Sequence, residues 1–358
     1  MPTTLDVEDL LGSNVVLVTG KGGVGKTTVA ATLALVGVAT GRRTLLVEVE
    51  GRQGLPPLLA TSPWDYQQRE FRPGLAGTAI DPADAVYEYL ELFYGIKRVQ
   101  WVMERSHAID FVTTAAPGLR DLLLVGKVYE LEGQRRPDGR RAWDLIVVDA
   151  PPTGRIVPFL EAPSAVTEIV RVGPIRRQAG QIEELLHDPR RARAVVTTLL
   201  EEMPVAEARE GVAALTAAGI DVAPLVANQV EVPRLAPGGA DLLERLGADG
   251  LAARAAAAGA NASRRTAALV LGLAREQQDR VALQAGLLAE LTAATGRPAL
   301  ALPLLTTAAV GAEEVALLAH LAAAQLGVDL APPPHVTAAE LEALTAALEA
   351  TRDAAGAR

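Results

Sequence analysis

The sequence of 358 residues contains no cysteine. Disulfides, cysteine-ligated zinc and iron–sulfur clusters are therefore excluded within this chain, because each of them needs thiol or thiolate groups. Aromatic residues occur only between Trp64 and Phe159, so residues 160–358 have none. That part of the chain must build its core from aliphatic side chains, and it offers no stacking platform for single-stranded nucleic acid.

Acidic residues outnumber basic ones by 43 to 34, and methionine and long apolar runs are scarce. The net charge of −9 argues against nucleic acid as a partner. Charge or proline interrupts each apolar stretch before it reaches a membrane-spanning length, and the first residues do not resemble a signal peptide. We therefore expect a soluble cytoplasmic protein. Met103 and Met203 are the only internal methionines, so the sequence lacks the methionine-rich groove that often binds varied hydrophobic clients.

The most informative segment is GKGGVGKTT at residues 20–28. Gly20, Gly25, Lys26 and Thr27 satisfy the phosphate-loop pattern G-x-x-x-x-G-K-[ST]. The glycines let backbone N–H groups turn toward phosphates, Lys26 would reach the β and γ oxygens, and Thr27 would ligate Mg²⁺. An apolar strand at residues 15–19 and an apolar helix at 28–40 place these phosphates at a helix N-terminus. ATP and Mg²⁺ are the expected cofactors.

Acidic residues follow two further apolar strands. Asp149 ends the run at residues 145–149, where a Walker B acid would serve Mg²⁺. Glu48 and Glu50 lie two apart near the end of the strand at 44–49, so we expect both on one face. Glu50 is the candidate for positioning the attacking water, and the role of Glu48 is left open.

Strands alternating with helices predict an α/β fold, a doubly wound and mostly parallel sheet of the P-loop NTPase type. We expect one ATPase domain at residues 1–331, with helical subdomain insertions near 82–131, 164–191 and 238–295. Residues 332–358 would form a proline linker and a C-terminal helix, which Thr337 and Glu340 begin with a capping box. This last helix carries glutamates rather than lysines, which favours packing on protein over an anionic membrane.

Lys21, directly after the first loop glycine, resembles the deviant Walker A motif K-G-G-x-G-K-[ST]. That motif marks the SIMIBI class of nucleotide-dependent switches, which includes ParA, MinD, the nitrogenase iron protein and ArsA-type ATPases. The resemblance implies a dimer in which Lys21 reaches the partner's nucleotide and offsets its charge only when the subunits close. Without cysteines, the iron–sulfur members of the class are excluded, and no zinc or iron–sulfur cluster is expected.

The segment DAPPTGR at residues 149–155, followed by Phe159 and Leu160, is similar to D-T-A-P-T-G-H-T…F-L of the ArsA and guided-entry (tail-anchored protein targeting) ATPases. Residues 116–118 resemble their P-G-I-D-E segment, residues 224–229 their V-V-N-Q strand end, and residues 302–305 their P-L-L segment. The resemblance covers most of residues 14–320 and is closest to actinobacterial ArsA-like anion-transporting ATPases. It implies that Asn228 contacts the adenine and that Pro303 borders the base.

Two positions depart from that family. EGRQ at residues 50–53 replaces T-D-P-A-H, so a longer carboxylate, Glu50, would align the water. Arg155 replaces the histidine after T-G and is a further candidate for sensing the γ-phosphate. The expected catalytic residues are Glu50, Lys21 and Lys26, and the expected metal ligands are Thr27 and Asp149. The residues expected to bind the nucleotide are Gly20, Gly22, Gly23, Val24, Gly25, Lys26, Thr27, Thr28, Asn228 and Pro303.

The function that these patterns favour is a Mg-ATP-dependent dimeric ATPase switch of the ArsA family. Its partner would be a second copy or a related chain, and its client a hydrophobic or membrane protein. An energising subunit of an anion efflux system is an alternative. A ParA- or MinD-like positioning ATPase and a non-hydrolysing nucleotide-binding scaffold also remain open.

Overall fold

The computed structural model describes residues 5–82, 84, 85, 88, 117–169, 172–235 and 238–356. Its strands are β1 Val15–Gly20, β2 Thr44–Val49, β3 Arg69–Arg72, β4 Leu75–Ile80, β5 Leu145–Asp149, β6 Ala192–Leu199, β7 Leu225–Val230 and β8 Ala299–Pro303. They form one sheet in the order β3-β4-β2-β5-β1-β6-β7-β8. Every neighbouring pair is parallel except β3 with β4. The predicted α/β fold is therefore confirmed.

Helices cover both faces of this sheet. The helices of the described residues are α1 Val7–Leu11, α2 Lys26–Ala39, α3 Leu55–Leu58, α4 Pro117–Gly133, α5 Thr153–Ile169, α6 Pro174–His187, α7 Glu202–Ala217, α8 Gly239–Ala257, α9 Arg264–Thr295, α10 Ala312–Gln325 and α11 Ala338–Gly356. Alternate residues of β1 face opposite sides, so Val15 and Leu17 join one apolar core. Val16 and Val18 join the other, together with α2 and α10. Burial on both faces explains why the central strands are continuous apolar runs.

The helices outside the sheet agree in part with the helical insertions predicted from the sequence. Most of the predicted insertion near residues 82–131 lies outside the described residues, and α4 forms its end. Parts of α5 and α6 account for residues 164–191, and α8 and α9 pack together as a helical hairpin over residues 238–295. The C-terminal helix α11 packs against α9 and β8, and its Leu348 is buried in the core. The division between residues 331 and 332 stays a prediction.

Among the helices in the described ranges, none has the combination of length and hydropathy that crossing a membrane requires.

Candidate functional site

The predicted site residues gather at the carboxyl edge of the parallel strands. Gly20 ends β1, Asp149 ends β5 and Pro303 ends β8, while Asn228 lies in β7 and Glu50 directly follows β2. Ligands of open α/β sheets bind at this edge, beside the point where the strand order changes direction. Residues far apart in sequence are therefore brought to one place.

The phosphate loop has the backbone that its glycines permit. Gly23 and Gly25 have φ of 88° and 86°, a left-handed conformation that disfavours other residues. The side-chain amide of Asn228 donates a hydrogen bond to the Val24 carbonyl over 2.9 Å, and a Cβ on Gly25 would lie 2.3 Å from that amide nitrogen. Asn228 thus fastens the loop to β7, and its contact with adenine stays a prediction.

Asp149 and Thr27 meet below the loop. Thr27 Oγ1 donates to Asp149 Oδ2 at 2.8 Å. Asp149 is 3% exposed, and its Oδ1 is buried with no hydrogen bond to any described residue. Burial raises the pKa of Asp149, and the hydrogen bond from Thr27 offsets only part of this effect. Hydroxyl and carboxylate oxygens suit Mg²⁺, and a cation here would complete the bonding of Oδ1. The two residues therefore fit a magnesium site.

Lys26 is buried at the start of α2. Its Nζ donates to the carbonyl of Lys21 over 3.1 Å. Burial lowers the pKa of Lys26, with the Asp149 carboxylate acting in the opposite direction. An anion in the loop would stabilise its ammonium form, as expected for a phosphate-binding lysine.

Lys21 faces its own chain in this structure. Its Nζ lies 2.6 Å from Oε1 of Glu207 on α7, and both side chains are about one third exposed. Glu207 was not predicted from the sequence, because a glutamate on a helix surface has no sequence signature of its own.

A cavity of about 320 Å³ adjoins the phosphate loop. It lies at the ends of β7 and β8, and its walls include Gly25, Thr28, Asn228 and Pro303 together with residues of the segment 304–310. Its size is at the lower end of ordinary ligand pockets. The cavity is therefore bordered by Asn228 and Pro303, the two residues predicted to contact the nucleotide base.

Glu48 and Glu50 have different partners. Glu48 is fully buried and accepts hydrogen bonds from the backbone N–H groups of Gly54 and Leu55, at 2.9 and 3.2 Å. It therefore holds the start of α3. Glu48 and Glu50 were expected on one face because side chains two apart on a strand point the same way. That alternation does not extend to Glu50, since β2 ends at Val49 and Glu50 has a left-handed φ of 71°.

Glu50 lies among three arginines. Its Oε1 accepts a hydrogen bond from Arg155 at 2.6 Å and lies 3.7 Å from Arg120, while its Oε2 is paired with Arg52. Arg155 also donates to Asp121 over 3.3 Å. Burial opposes the charge of Glu50, but the hydrogen bonds from Arg52 and Arg155 outweigh it and lower the pKa of Glu50. Glu50 is therefore a carboxylate at neutral pH. Arg120 and Asp121 belong to no recognised motif and were not predicted, and Arg52 was placed only in the segment EGRQ.

Fold and site together define a P-loop NTPase-like protein. Residues 13–182 match the family model described as anion-transporting ATPase, ArsA_ATPase. This match agrees with the resemblance that the motifs indicated.

Two curated relatives illustrate the family. The chain is 42% identical over 225 residues to ATPase BagA of Mycobacterium tuberculosis, covering 62% of this chain and 66% of that protein. It is 26% identical over 231 residues to the arsenical pump-driving ATPase of Escherichia coli, covering 59% of this chain and 38% of that protein. The aligned part thus spans just under two thirds of the mycobacterial relative and a smaller share of the other.

Proposed function

We propose that this chain is a Mg-ATP-dependent ATPase that works as a dimeric switch. The observation that supports it best is the pairing of Thr27 with Asp149, which leaves the buried Asp149 Oδ1 without a partner among the described residues. An unpaired buried carboxylate oxygen is unfavourable unless a ligand completes it. Its place below a phosphate loop makes Mg²⁺ with ATP the ligand of choice.

The proposed roles follow from the chemistry of each group. Lys26 and the loop N–H groups hold the phosphates, and Thr27 and Asp149 hold Mg²⁺, which neutralises phosphate charge when bound. Glu50 orients water by accepting its hydrogen bond. The lowered pKa of Glu50 makes it a weak base, so positioning suits it better than proton removal. Arg155 is a candidate contact for the γ-phosphate.

The dimeric part of the proposal concerns Lys21. To reach a nucleotide in a second subunit, Lys21 must leave Glu207, and the negative charge of that nucleotide offsets the lost pair. The partner would be a second copy or a related chain, and the client a hydrophobic or membrane protein.

The test is steady-state phosphate release by the purified chain with Mg-ATP. We expect turnover per chain to rise with protein concentration and to vanish in Lys21→Ala while that variant still binds ATP. Arg190→Ala, a change at a highly exposed side chain, is the control and should match the wild type. Equal loss of binding and turnover in Lys21→Ala would contradict the role across a dimer.

A second candidate is an energising subunit for anion efflux, which the name of the Escherichia coli relative favours. Because this chain has no cysteine, any stimulating oxyanion must bind through other groups. Turnover that rises on addition of an oxyanion would favour this candidate. Tight ATP binding without turnover, with or without oxyanion, would instead favour a nucleotide-binding scaffold.

A further inference from the structure

The loop after β2 lies against the phosphate-binding helix. A Cβ placed on Gly54 would be 3.2 Å from Cγ2 of Thr27, so the backbone of this loop packs on the first turn of α2. Glu48 fixes the far end of the loop by accepting the N–H of Gly54. Arg52 is therefore held between two anchored points, Glu50 and Gly54, beside the phosphate loop.

The ion-pair partners of Glu50 among the described residues are all arginines. Three guanidinium groups, those of Arg52, Arg120 and Arg155, share the two carboxylates of Glu50 and Asp121. Burial raises the pKa of Asp121, so its charge is the less stable of the two. Arg120 also has a buried Nε without a hydrogen bond to any described residue. An added anion would find donors that the carboxylates do not fully use.

Arg52 is the arginine of this cluster that lies in the loop packed on the first turn of α2, two residues before Gly54. Arg155, by contrast, is divided between Glu50 and Asp121. Arg52 has Glu50 as its single carboxylate partner in the described residues.

We propose that Arg52 is a γ-phosphate-binding residue that makes this chain prefer ATP to ADP. Its guanidinium leaves the Glu50 carboxylate and binds the γ-phosphoryl oxygens within the same chain. A terminal phosphate offers more negative charge than one carboxylate, so the exchange is favourable with ATP and has no acceptor with ADP. Glu50 Oε2, released by this exchange, becomes free to accept a hydrogen bond from water. The proposal relies on the ATP binding proposed above.

Nucleotide affinities test the first half of this exchange. The dissociation constants of AMP-PNP and ADP would be measured with Mg²⁺ by displacement of mant-ADP. We expect Arg52→Ala to weaken AMP-PNP by about tenfold to a hundredfold and to change ADP by less than about threefold, since a hydrogen bond between charged groups is lost only with the former. Arg52→Lys should recover part of the loss, and Arg190→Ala should have no effect.

A substitution at Glu50 tests the other part of the exchange, in which Arg52 leaves the Glu50 carboxylate. In Glu50→Gln the arginine has no carboxylate to leave, so we expect AMP-PNP to bind about threefold to tenfold more tightly than in the wild type, with ADP unchanged and turnover lost. Adding Arg52→Ala to this variant should remove the gain.

Equal weakening of AMP-PNP and ADP in Arg52→Ala, or no weakening of either, would overturn the role of Arg52 and leave the proposed ATPase standing. A wild type that binds neither nucleotide would overturn both proposals.

Discussion

Alanine substitutions at three glycines of the phosphate loop can distinguish backbone strain from steric clash. Gly22 lies outside the left-handed region, and no described atom is within 4 Å of the position its Cβ would take. Gly23 has a left-handed φ of 88°, and again no described atom lies within 4 Å of its Cβ position. Gly25 has a left-handed φ of 86° and a Cβ position 2.3 Å from Asn228 Nδ2. Alanine should therefore cause no strain at Gly22 and backbone strain alone at Gly23. At Gly25 it should cause both backbone strain and a steric clash with Asn228.

The magnitudes follow from these geometries. Gly22→Ala should change the free energy of unfolding by less than about 1 kcal/mol and in the stabilising direction, because it restricts the unfolded chain. Gly23→Ala should lose about 1–2 kcal/mol to the left-handed conformation. Gly25→Ala should lose that amount plus about 1–3 kcal/mol, because its methyl group displaces the Asn228 amide from Val24.

The assay is urea unfolding without nucleotide, followed by circular dichroism, so that phosphate binding does not enter. Adding Asn228→Ala to Gly25→Ala removes the contact but not the strain, and this pair should approach the stability of Gly23→Ala. If Gly25→Ala were as stable as Gly22→Ala, the close approach of β7 to the loop would be refuted. If Gly23→Ala had no cost, the argument from its φ would fail instead.

Three further outcomes are expected. Glu132 is buried and paired with Arg141 and Arg191. Glu132→Gln should lower the free energy of unfolding by about 2–3 kcal/mol and the surface control Glu290→Gln by less than about 1 kcal/mol, as measured by urea unfolding of both variants. Burial opposes the Glu132 charge, but hydrogen bonds from both arginines hold its pKa below the ordinary value for glutamate. The stabilisation is therefore fully present at pH values above that ordinary pKa and is lost as pH falls through the folded-state pKa, and a wild-type advantage that instead grew in acid would contradict this sign. Glu207→Gln should free Lys21 and lower the protein concentration that gives half-maximal phosphate release, whereas the exposed Glu210→Gln on the same helix should leave it unchanged.

The sequence predicted the strands whose both faces are buried. β2 and β5 begin and end where their apolar runs do, because no solvent-facing residue interrupts them. The edge strand β3 was not predicted, since its residues are mostly exposed and polar and its pairing with β4 depends on tertiary contact. The capping box of Thr337 and Glu340 is confirmed by hydrogen bonds in both directions, at 2.9 and 3.2 Å.

The site was predictable where a motif fixes the chemistry. Thr27 and Asp149 are 122 positions apart yet hydrogen-bonded, as the phosphate loop and the strand-end acid together indicate. The partners of Lys21 and Glu50 were not predictable. Glu207, Arg120 and Asp121 lie on helices, where charged residues that face solvent and those that face a site have the same sequence pattern. Only the packing of α4 and α7 beside the sheet edge distinguishes them.

Two ion pairs within the chain determine what nucleotide binding must provide. Lys21 is paired with Glu207, and Arg52 is paired with Glu50. In the proposed closed dimer both pairs separate, and each separation subtracts from the affinity of any ligand that provokes it. ADP has no γ-phosphate to compensate for the loss of the Arg52 pair, so it should leave that pair intact. ATP offers an acceptor to each cation, so both exchanges become favourable together only with the triphosphate. On this argument Glu50→Gln, which removes the carboxylate that competes for Arg52, should widen the difference between ATP and ADP in promoting dimers, and sedimentation in either nucleotide would measure it.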